Sequence, residues 1–412
     1  MKDFQRDLKP SFFALLSLPS TAMGFALCVQ IAALSWILDT QYHLDIHEVG
    51  IVWAAGPIAG IIGQVLVGFL SDNTWFWGGR RKPFIWIGGL LAGLSMLALP
   101  NLGAIESGTG IPILTVAIIV ALTLDLSINI GFNPTRSIIA DVTPEGLKRT
   151  QGYTWMQTIS GMFGVLAYGI GAWWGNYNLI YFGVFLVVAF SMIPPLFITE
   201  PATLVADQKK EEQGTGQSNW GELMRIYLAH AFCWVGIQTM FVYMLFYIRE
   251  SMGITSDTQA GQIISLSFLI LNTVGFLLPG PVLEPLSKRI GRVRVHYLSM
   301  ALMALGYTLI VLLATTPTML YVCMGITGIG WAATVSLPFA IMTEKVSKAN
   351  MGLFMGIFNL SVVIPQLLVS LVLGGIIQAA ANKSIIFIIS AITLGISAIL
   401  WTFVKERAVA RS

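Results

Sequence analysis

The chain has 412 residues, of which 56% are hydrophobic and only 10% are charged, with a formal net charge of +3. Soluble domains carry about 25% charged residues, and no soluble fold of this length could hide so much apolar surface. The composition therefore excludes a soluble protein, gives no sign of a nucleic-acid partner, and predicts an all-α protein embedded in a lipid bilayer.

Apolar runs of roughly 20 residues, long enough to cross about 30 Å of hydrocarbon, recur from end to end. A membrane β-barrel is excluded because its strands would show as short alternating segments. We predict six spans in the first half, at 11–38, 48–71, 83–103, 111–140, 151–174 and 176–198. We predict six more in the second half, at 222–248, 259–283, 293–314, 317–342, 351–380 and 383–404.

A polar segment, Thr199 to Gly221, separates the two sets of spans. Its charged, Gly-rich composition is typical of a flexible linker. We therefore predict an N-terminal six-helix bundle over 1–198, a linker over 199–221 and a C-terminal six-helix bundle over 222–412.

Lys and Arg residues concentrate in alternate loops, which favours a cytoplasmic location for those loops. The opposite loops carry only Arg249 and Lys383. Both termini and the linker are therefore predicted to be cytoplasmic, in a multi-pass protein of the cell membrane. The basic side carries Lys2, Arg6, Lys9, Arg80, Arg81, Lys82, Lys148, Arg149, Lys209, Lys210, Lys288, Arg289, Arg292, Arg294, Lys345, Lys348, Lys405, Arg407 and Arg411.

The second span ends on Gly68-Phe-Leu-Ser71-Asp72, and a short loop leads to Arg80, Arg81 and Lys82. A carboxylate at this position can accept hydrogen bonds from helix amides, and guanidinium groups can clamp neighbouring helix ends. We expect Asp72, Arg80 and Arg81 to gate or brace the fold without touching a substrate. A simple positively charged membrane anchor is the alternative.

The fourth span places Asp125, Asn129, Arg136 and Asp141 on one hydrophobic helix. Positions 125, 129, 132 and 136 share a face, because eleven residues make almost three helical turns. A carboxylate at the bilayer centre costs roughly 2.5–3.5 kcal/mol on insertion scales, so it usually marks a functional site. This helix is the strongest pointer to function in the chain.

The second half repeats these acidic and basic residues at the ends of the corresponding spans, which suggests duplication of a six-helix unit. The eighth span ends on Glu284-Pro-Leu-Ser287-Lys288-Arg289-Ile-Gly291-Arg292. The tenth span ends on Pro338-Phe-Ala-Ile-Met-Thr-Glu344, as the fourth ends on Pro134-Thr-Arg-Ser-Ile-Ile-Ala-Asp141. Glu284, Arg289 and Glu344 are therefore predicted as gating or bracing residues of the second half. In transporters such halves typically enclose a site near the membrane midplane.

The loop after the second span resembles the signature of the major facilitator superfamily between its second and third helices. The resemblance narrows to the glycoside–cation symporter branch, which includes the plant sucrose–proton symporters and their animal and bacterial relatives. The residues that carry it are Trp53-x-x-Gly56-Pro57-x-x-Gly60-x-x-x-Gln64, Gly79-Arg-Arg-Lys-Pro83-Phe84, Asp125-x-x-x-Asn129, Pro134-x-Arg136, Ser336-Leu-Pro338 and Gly356-x-x-Asn359 followed by Pro365-Gln366.

This resemblance implies a major facilitator fold of two pseudo-symmetric bundles and a proton-coupled importer of a disaccharide or related glycoside, of the sucrose or maltose type. An antiporter that exports amphiphilic solutes on the same fold is the alternative. No Walker loop is present, and the four histidines are too scattered for a metal site. We expect no enzyme activity, no cofactor besides the coupling proton, and a functional monomer whose partners are sugar, H⁺ and lipid.

Asp125 is the predicted proton-coupling residue. Arg136 lies roughly 16 Å further along a straight helix, too far for a direct ion pair, so the carboxylate is not obviously held in its ionised state. A structural Asp paired to another helix, or an acceptor for a sugar hydroxyl, are the alternatives. Arg136 is expected to tie Asp141 and Asp72 into an inner gate, or else to bind substrate.

Amides at bilayer depth are candidate ligands for sugar hydroxyls, because each can donate and accept hydrogen bonds at fixed angles. Helix–helix hydrogen bonds are the alternative for all of them. Trp331 is a candidate platform for a pyranose ring, and His230 could be an interior histidine or a second titrating group. The candidate amides are Gln64, Asn129, Gln238, Asn272, Asn359 and Gln366.

Overall fold

The computed structural model describes residues 3–144, 146–201, 220–346 and 351–406, without the side chains of 3–4, 64–69, 72–73 and 351–353. Within these residues the chain forms helices and turns, and its only strand-like pairing is an isolated bridge between Phe76 and Gly79. The chain divides into two compact units, Met1–Ala206 and Asp207–Ser412.

The first unit carries nine helices within its described residues. They are α1 (Asp3–Arg6), α2 (Pro10–Thr40), α3 (Ile46–Trp53), α4 (Ala55–Asn73), α5 (Lys82–Ala98), α6 (Leu102–Thr109), α7 (Ile113–Val142), α8 (Leu147–Trp174) and α9 (Asn176–Met192). The capping box of Asp45 and Glu48 starts α3, and Gly110 ends α6 in the left-handed conformation that glycine adopts without steric cost.

The second unit carries eight helices within its described residues. They are α10 (Trp220–Phe246), α11 (Asp257–Leu277), α12 (Glu284–Ile290), α13 (Arg292–Leu313), α14 (Pro317–Thr343), α15 (Met351–Leu368), α16 (Gly374–Ala379) and α17 (Ile385–Trp401). Single π-helical turns at Tyr247–Ser251, Pro279–Leu283 and Val369–Leu373 continue α10, α11 and α15.

A helix, or a pair of consecutive helices, lies at each of the twelve predicted spans. Ten described helical segments are long and apolar enough to cross a membrane, and α17 is a shorter apolar helix. The remaining span, α8, is 28 residues long but is not among those ten. The predicted all-α membrane fold is confirmed.

Small residues allow neighbouring helices to approach to backbone contact, which is how membrane helices commonly pack. A Cβ at Gly88 of α5 would lie 2.8 Å from the backbone carbonyl oxygen of Ser127 in α7. A Cβ at Gly306 of α13 would lie 3.1 Å from the backbone nitrogen of Thr327 in α14. In each unit, a glycine therefore allows the third and fourth spans to pack in close contact.

The ends of the predicted linker belong to helices or to the first unit. The Gln5 side chain donates to the Thr199 carbonyl (2.8 Å) and accepts from the Thr199 amide (2.9 Å), and Trp220 already starts α10. Residues 202–219, the rest of the predicted linker, lie outside the described residues.

Candidate functional site

Asp125 lies inside the first unit, on α7, with only 6% of its surface exposed. Its Oδ2 accepts a hydrogen bond of 2.9 Å from Nε2 of Gln30 on α2, which is 3% exposed. Among the described residues no Lys, Arg or His forms an ion pair with this carboxylate. The only described partner of its side chain is therefore a neutral amide, and nothing in the described part of the chain compensates a negative charge there fully.

Gly56 on α4 completes the surroundings of Asp125. A Cβ at this position would lie 3.4 Å from both carboxylate oxygens, so the backbone of α4 passes directly beside them. The Asp125 carboxylate is thus held between α2, α4 and its own helix, three helices that the sequence separates by many residues. This arrangement fits a group that exchanges a proton, because its charged form is neither paired nor well hydrated.

Asn129 follows Asp125 by one turn, as predicted. Its Nδ2 donates to the Asp125 carbonyl oxygen (2.8 Å), and its Cβ packs against α4, where a Cβ at Gly63 would approach within 2.8 Å. The Gln64 side chain, the next candidate ligand on α4, lies outside the described side chains. Asp125 and Asn129 therefore share one face of α7, and this face packs against α4.

The expected tie between Arg136 and Asp141 is wrong. Arg136 is exposed, and its guanidinium lies 4.2 Å from the centroid of the Phe132 ring, a cation–π contact one turn away on the same helix. Asp141 is instead bound by Arg80 (2.9 Å) and Arg81 (3.0 Å). The side chain of Asp72, the other expected partner, lies outside the described side chains.

Arg80, Arg81 and Asp141 do come together, at the end of the unit where the basic loops lie. The side chains of this cluster are at most 10% exposed, and Arg81 also donates from Nη1 to Ser71 Oγ at 2.8 Å. Charge-assisted bonds of this kind are stronger than neutral ones. Arg81 thereby joins the end of α4 to the end of α7.

Glu200 is part of this cluster and was missed from the sequence. Its carboxylate accepts from the backbone amides of Arg80 (2.8 Å), Arg81 (2.9 Å) and Lys82 (2.9 Å). These amides precede or begin α5, where a negative charge is favourable. The one sequence signal that could have found it is the repeat, because Glu406 follows the last helix of the second unit in the same way.

Glu406 caps α13 of the second unit by the same geometry. Its oxygens accept from the amides of Arg292 (2.8 Å) and Val293 (2.9 Å). The Arg292 guanidinium binds the Glu344 carboxylate, as Arg80 binds Asp141. Glu344, which the sequence predicts as a gating or bracing residue, is therefore paired with Arg292.

Glu284 and Arg289 do not join this network. Glu284 pairs with Lys288 one turn away (2.7 Å), with side chains 63% and 73% exposed, and the Lys288 hydrogen bond and charge lower the pKa of the Glu284 carboxyl below its ordinary value. Arg289 is exposed and forms no ion pair with the described residues. The gating or bracing role predicted for Glu284 and Arg289 stays a prediction.

Two pairs of predicted sugar ligands in the second unit are hydrogen-bonded to one another. Gln366 on α15 donates to Gln238 on α10 (3.2 Å), and Trp331 on α14 donates from Nε1 to Asn272 Oδ1 on α11 (3.3 Å). Asn359 is half-buried and has no side-chain hydrogen bond to the described residues. The amides therefore serve as helix–helix bonds here, while retaining unused donors and acceptors.

Aromatic rings surround Trp331. Its ring lies edge-on to Trp234 (6.4 Å between centroids) and to Phe241 (5.4 Å). Trp234 in turn donates to Nε2 of the buried His230 at 3.0 Å, and the His230 ring stacks on Phe358. This packing agrees with the interpretation of His230 as an interior, hydrogen-bonded histidine. No group of three metal-ligating His, Cys, Asp or Glu side chains occurs in the described part of the chain.

Curated relatives match most of the chain. The sucrose transport protein SUC4 of Arabidopsis thaliana is 26% identical over 432 aligned residues, which cover 88% of this chain and 84% of the relative. The sucrose transport protein SUT2 of Oryza sativa subsp. indica is 28% identical, with 82% of each chain covered. A general alpha-glucoside permease of Schizosaccharomyces pombe is 26% identical over 38% of this chain and 31% of its own.

Solved structures share the fold at low sequence identity. The inward-open xylose transporter XylE from E. coli superposes with a TM-score of 0.73 at 16% identity, covering 97% of both chains. The nucleoside transporter NupG superposes with a TM-score of 0.71 at 13% identity, covering 95% of this chain and 97% of its own. The sequence model of the Major Facilitator Superfamily matches residues 16–280 and 269–412. The chain belongs to the major facilitator superfamily.

Proposed function

We propose that this protein imports a disaccharide or related glycoside, of the sucrose or maltose type, together with protons by alternating access. The observation that carries the proposal is the buried Asp125 carboxylate, whose described side-chain partner is the neutral Gln30 amide. The relatives named as sucrose transport proteins, which align over most of the chain, support the class of substrate.

Asp125 would carry the coupled proton. An ionised carboxylate in this position lacks a described cation to balance it, so protonation removes a charge that burial penalises. A proton taken from the outside when the carboxylate is accessible there would be released when it becomes accessible to the cytoplasm. Net uptake of sugar then follows the proton gradient.

The sugar would be recognised by hydrogen bonds from amides and by stacking on an aromatic ring. Asn129 lies one turn from Asp125, so hydroxyl binding and proton binding occur on the same face of α7. In the second unit Trp331 offers an indole, and Gln238, Gln366 and Asn272 offer amides that are already oriented by one another. These roles suit a polyhydroxylated ligand better than a lipophilic one, which favours import of glycosides over export of amphiphiles.

The membrane orientation that we propose follows from the distribution of charged residues among the loops. Lys and Arg in alternate loops support an orientation with both termini in the cytoplasm and a location in the cell membrane. The proposal includes a functional monomer with H⁺ as the coupling ion.

Proton flux into proteoliposomes tests the proposal. Purified protein reconstituted with an internal pH dye should acidify the lumen when sucrose, maltose or a related glycoside is added outside, and a protonophore should collapse the signal. Sorbitol at equal osmolarity serves as the control. Sugar-dependent alkalinisation, or a response to lipophilic cations with none to any glycoside, would contradict the proposal.

A further inference from the structure

The Asp125 carboxylate has one described side-chain partner, which comes from a distant part of the chain. Nε2 of Gln30 donates to Oδ2 of Asp125 at 2.9 Å and so joins α2 to α7. Gln30 is 3% exposed and Asp125 is 6% exposed, so water has little access to this hydrogen bond. The bond is therefore stronger than the same bond would be at a protein surface.

The other surroundings of this carboxylate supply no further donor from the described side chains. α4 passes beside it at Gly56, which shields the oxygens without offering a side chain. Asn129 donates to the Asp125 carbonyl oxygen and not to the carboxylate. The other helices of this unit that pack closely on α7 are α3, α5, α6 and α8. Neither they nor α2 and α4 bring another described charged or titratable side chain that acts on the Asp125 carboxylate.

A bond that merely holds α2 against α7 is the alternative role for Gln30. However, α2 has other polar contacts with its neighbours. Thr21 Oγ1 lies 3.0 Å from Ser160 Oγ of α8, and Ser35 Oγ accepts from Trp53 Nε1 of α3 at 2.8 Å. Both of those bonds join neutral groups. Of the three bonds, the one from Gln30 alone involves a group that can gain or lose a proton.

An amide is a suitable partner for a carboxyl group that changes its protonation state. When the carboxyl is ionised, the Gln30 N–H group donates to it, as the structure shows. When the carboxyl is protonated, its O–H can donate to Oε1 of the same amide after a half-turn of the amide group, because an amide carries both donors and an acceptor. The two arginines on Asp141 offer donors only, so they hold that carboxylate in its charged state.

We propose that Gln30 is a positioning residue for proton exchange, which sets the pH range over which Asp125 binds and releases its proton. Its hydrogen bond to the charged carboxylate is stronger than a bond to the neutral acid, so the amide favours release of the proton. Without this amide, burial would penalise the charged carboxylate with no compensation, and the carboxyl would keep its proton to higher pH. The inference rests on the proposed role of Asp125 in coupling and adds the residue that adjusts it.

Infrared titration of the purified full chain in lipid nanodiscs tests the proposal. The carbonyl stretch of a protonated carboxylic acid is assigned to Asp125 by its loss in Asp125→Asn, and its intensity against pH gives the titration midpoint. Gln30→Met keeps a similar side-chain size without the amide. It should raise the midpoint by about one pH unit, the difference between a charge-assisted and a neutral hydrogen bond. The measurement needs no sugar, so its result does not depend on the transported solute.

Two further variants separate an effect on proton affinity from an effect on stability. Gln30→Lys places a cation beside the carboxylate and should lower the midpoint by roughly one to three pH units. Thr21→Val removes another buried hydrogen bond of α2, and it should lower the melting temperature without moving the midpoint. Opposite shifts in Gln30→Met and Gln30→Lys distinguish the positioning role from a structural one, which would change stability alone.

An unchanged midpoint in Gln30→Met, or an equal shift in Thr21→Val, overturns the proposal. These results differ from a failure of the proposed function. If Asp125 does not couple sugar to protons, the unsubstituted protein shows no glycoside-driven proton flux, while the Gln30 variants still move the midpoint. If coupling is intact and the inference alone is wrong, flux is present and the midpoint stays fixed. Should Gln30→Lys fail to fold, Gln30→Met decides the question by itself.

Discussion

Asp125 differs from Asp141 and Glu200 in having no described cationic partner and no cluster of backbone amides. Asp141 binds two arginines, and Glu200 binds three amides at a helix start. Those interactions hold the charged form. A single neutral Gln30 amide stabilises a charged carboxylate less than two arginines or three amides do, which is the reason we propose Asp125 as the residue that gains and loses a proton.

Asp125→Asn should abolish sugar accumulation against a gradient while sparing counterflow exchange. The amide keeps the shape of the side chain but cannot take up a proton, so coupling is lost and binding is kept. Radiolabelled sugar uptake and counterflow in proteoliposomes measure the two activities. Asp7→Asn, on an exposed side chain, is the matched control and should leave both unchanged. Uphill accumulation by Asp125→Asn would refute the coupling role.

Gln30 and Asp125 should be energetically coupled. Gln30→Ala removes the hydrogen bond to the carboxylate and should lower the free energy of unfolding by about 1–3 kcal/mol. In an Asp125→Leu background the same substitution should cost much less, since no buried acceptor is left unpaired. Denaturant or thermal unfolding of the four proteins in detergent gives the coupling energy. Additive effects would show that the two side chains do not stabilise one another.

At the scale of the element, the starts of α5 and α13 are stabilised from a distance in sequence. Glu200 and Glu406 each follow the last helix of their unit and satisfy amides that the helix itself leaves open. The backbone must come very close for this contact. A Cβ at Gly79 or at Gly291 would lie 2.5 Å from a carboxylate oxygen of the capping glutamate, so glycine is needed at both positions.

Gly291→Ala should therefore destabilise the protein by more than Gly253→Ala. Both glycines have a positive φ, +96° and +70°, so both alanines are strained by about 1 kcal/mol or more. Only the alanine at 291 also displaces a capping carboxylate, because nothing lies within 4 Å of a Cβ at 253. Melting temperatures of the two variants in the same detergent make the comparison. Equal losses would mean that the Glu406 cap contributes no measurable stability.

At the scale of the whole molecule, twelve spans and the distribution of Lys and Arg predict that both termini lie on one side of the membrane. The same placement would put the Glu200 and Glu406 clusters on the cytoplasmic side. Each unit repeats the same plan, with a glutamate cap, an arginine–carboxylate pair and a glycine-mediated contact between its third and fourth spans.

Protease-accessible tags at the two termini should both be protected in intact cells and both be cleaved after permeabilisation. The positive-inside bias predicts this orientation, and an even number of spans requires that the termini share a side. A tag inserted at Gly253, in the loop between α10 and α11, should show the opposite behaviour and serves as the control. Cleavage of one terminal tag alone in intact cells would contradict the even span count.

The partners of the charged residues were predicted less well than their positions. Asp141 and Glu344 lie at helix ends, but Arg136 was expected to bind Asp141, which Arg80 and Arg81 bind instead, and the pairing of Glu344 with Arg292 was not predicted. Sequence proximity favoured Arg136, which is only five residues from Asp141. On a helix, however, a five-residue separation points two side chains in different directions, while Arg80 and Arg81 reach Asp141 from the loop that leads into α5.

The sequence by itself determined the membrane class, the twelve spans and the shared helix face of Asp125 and Asn129. These depend on hydrophobic length and helical periodicity, which act over neighbouring residues. Only the tertiary structure decided that Gln30 binds Asp125 and that Glu200 and Glu406 cap distant helices. Such partners are separated by 95 to 120 residues, and their meeting depends on how whole helices pack, which no local pattern encodes.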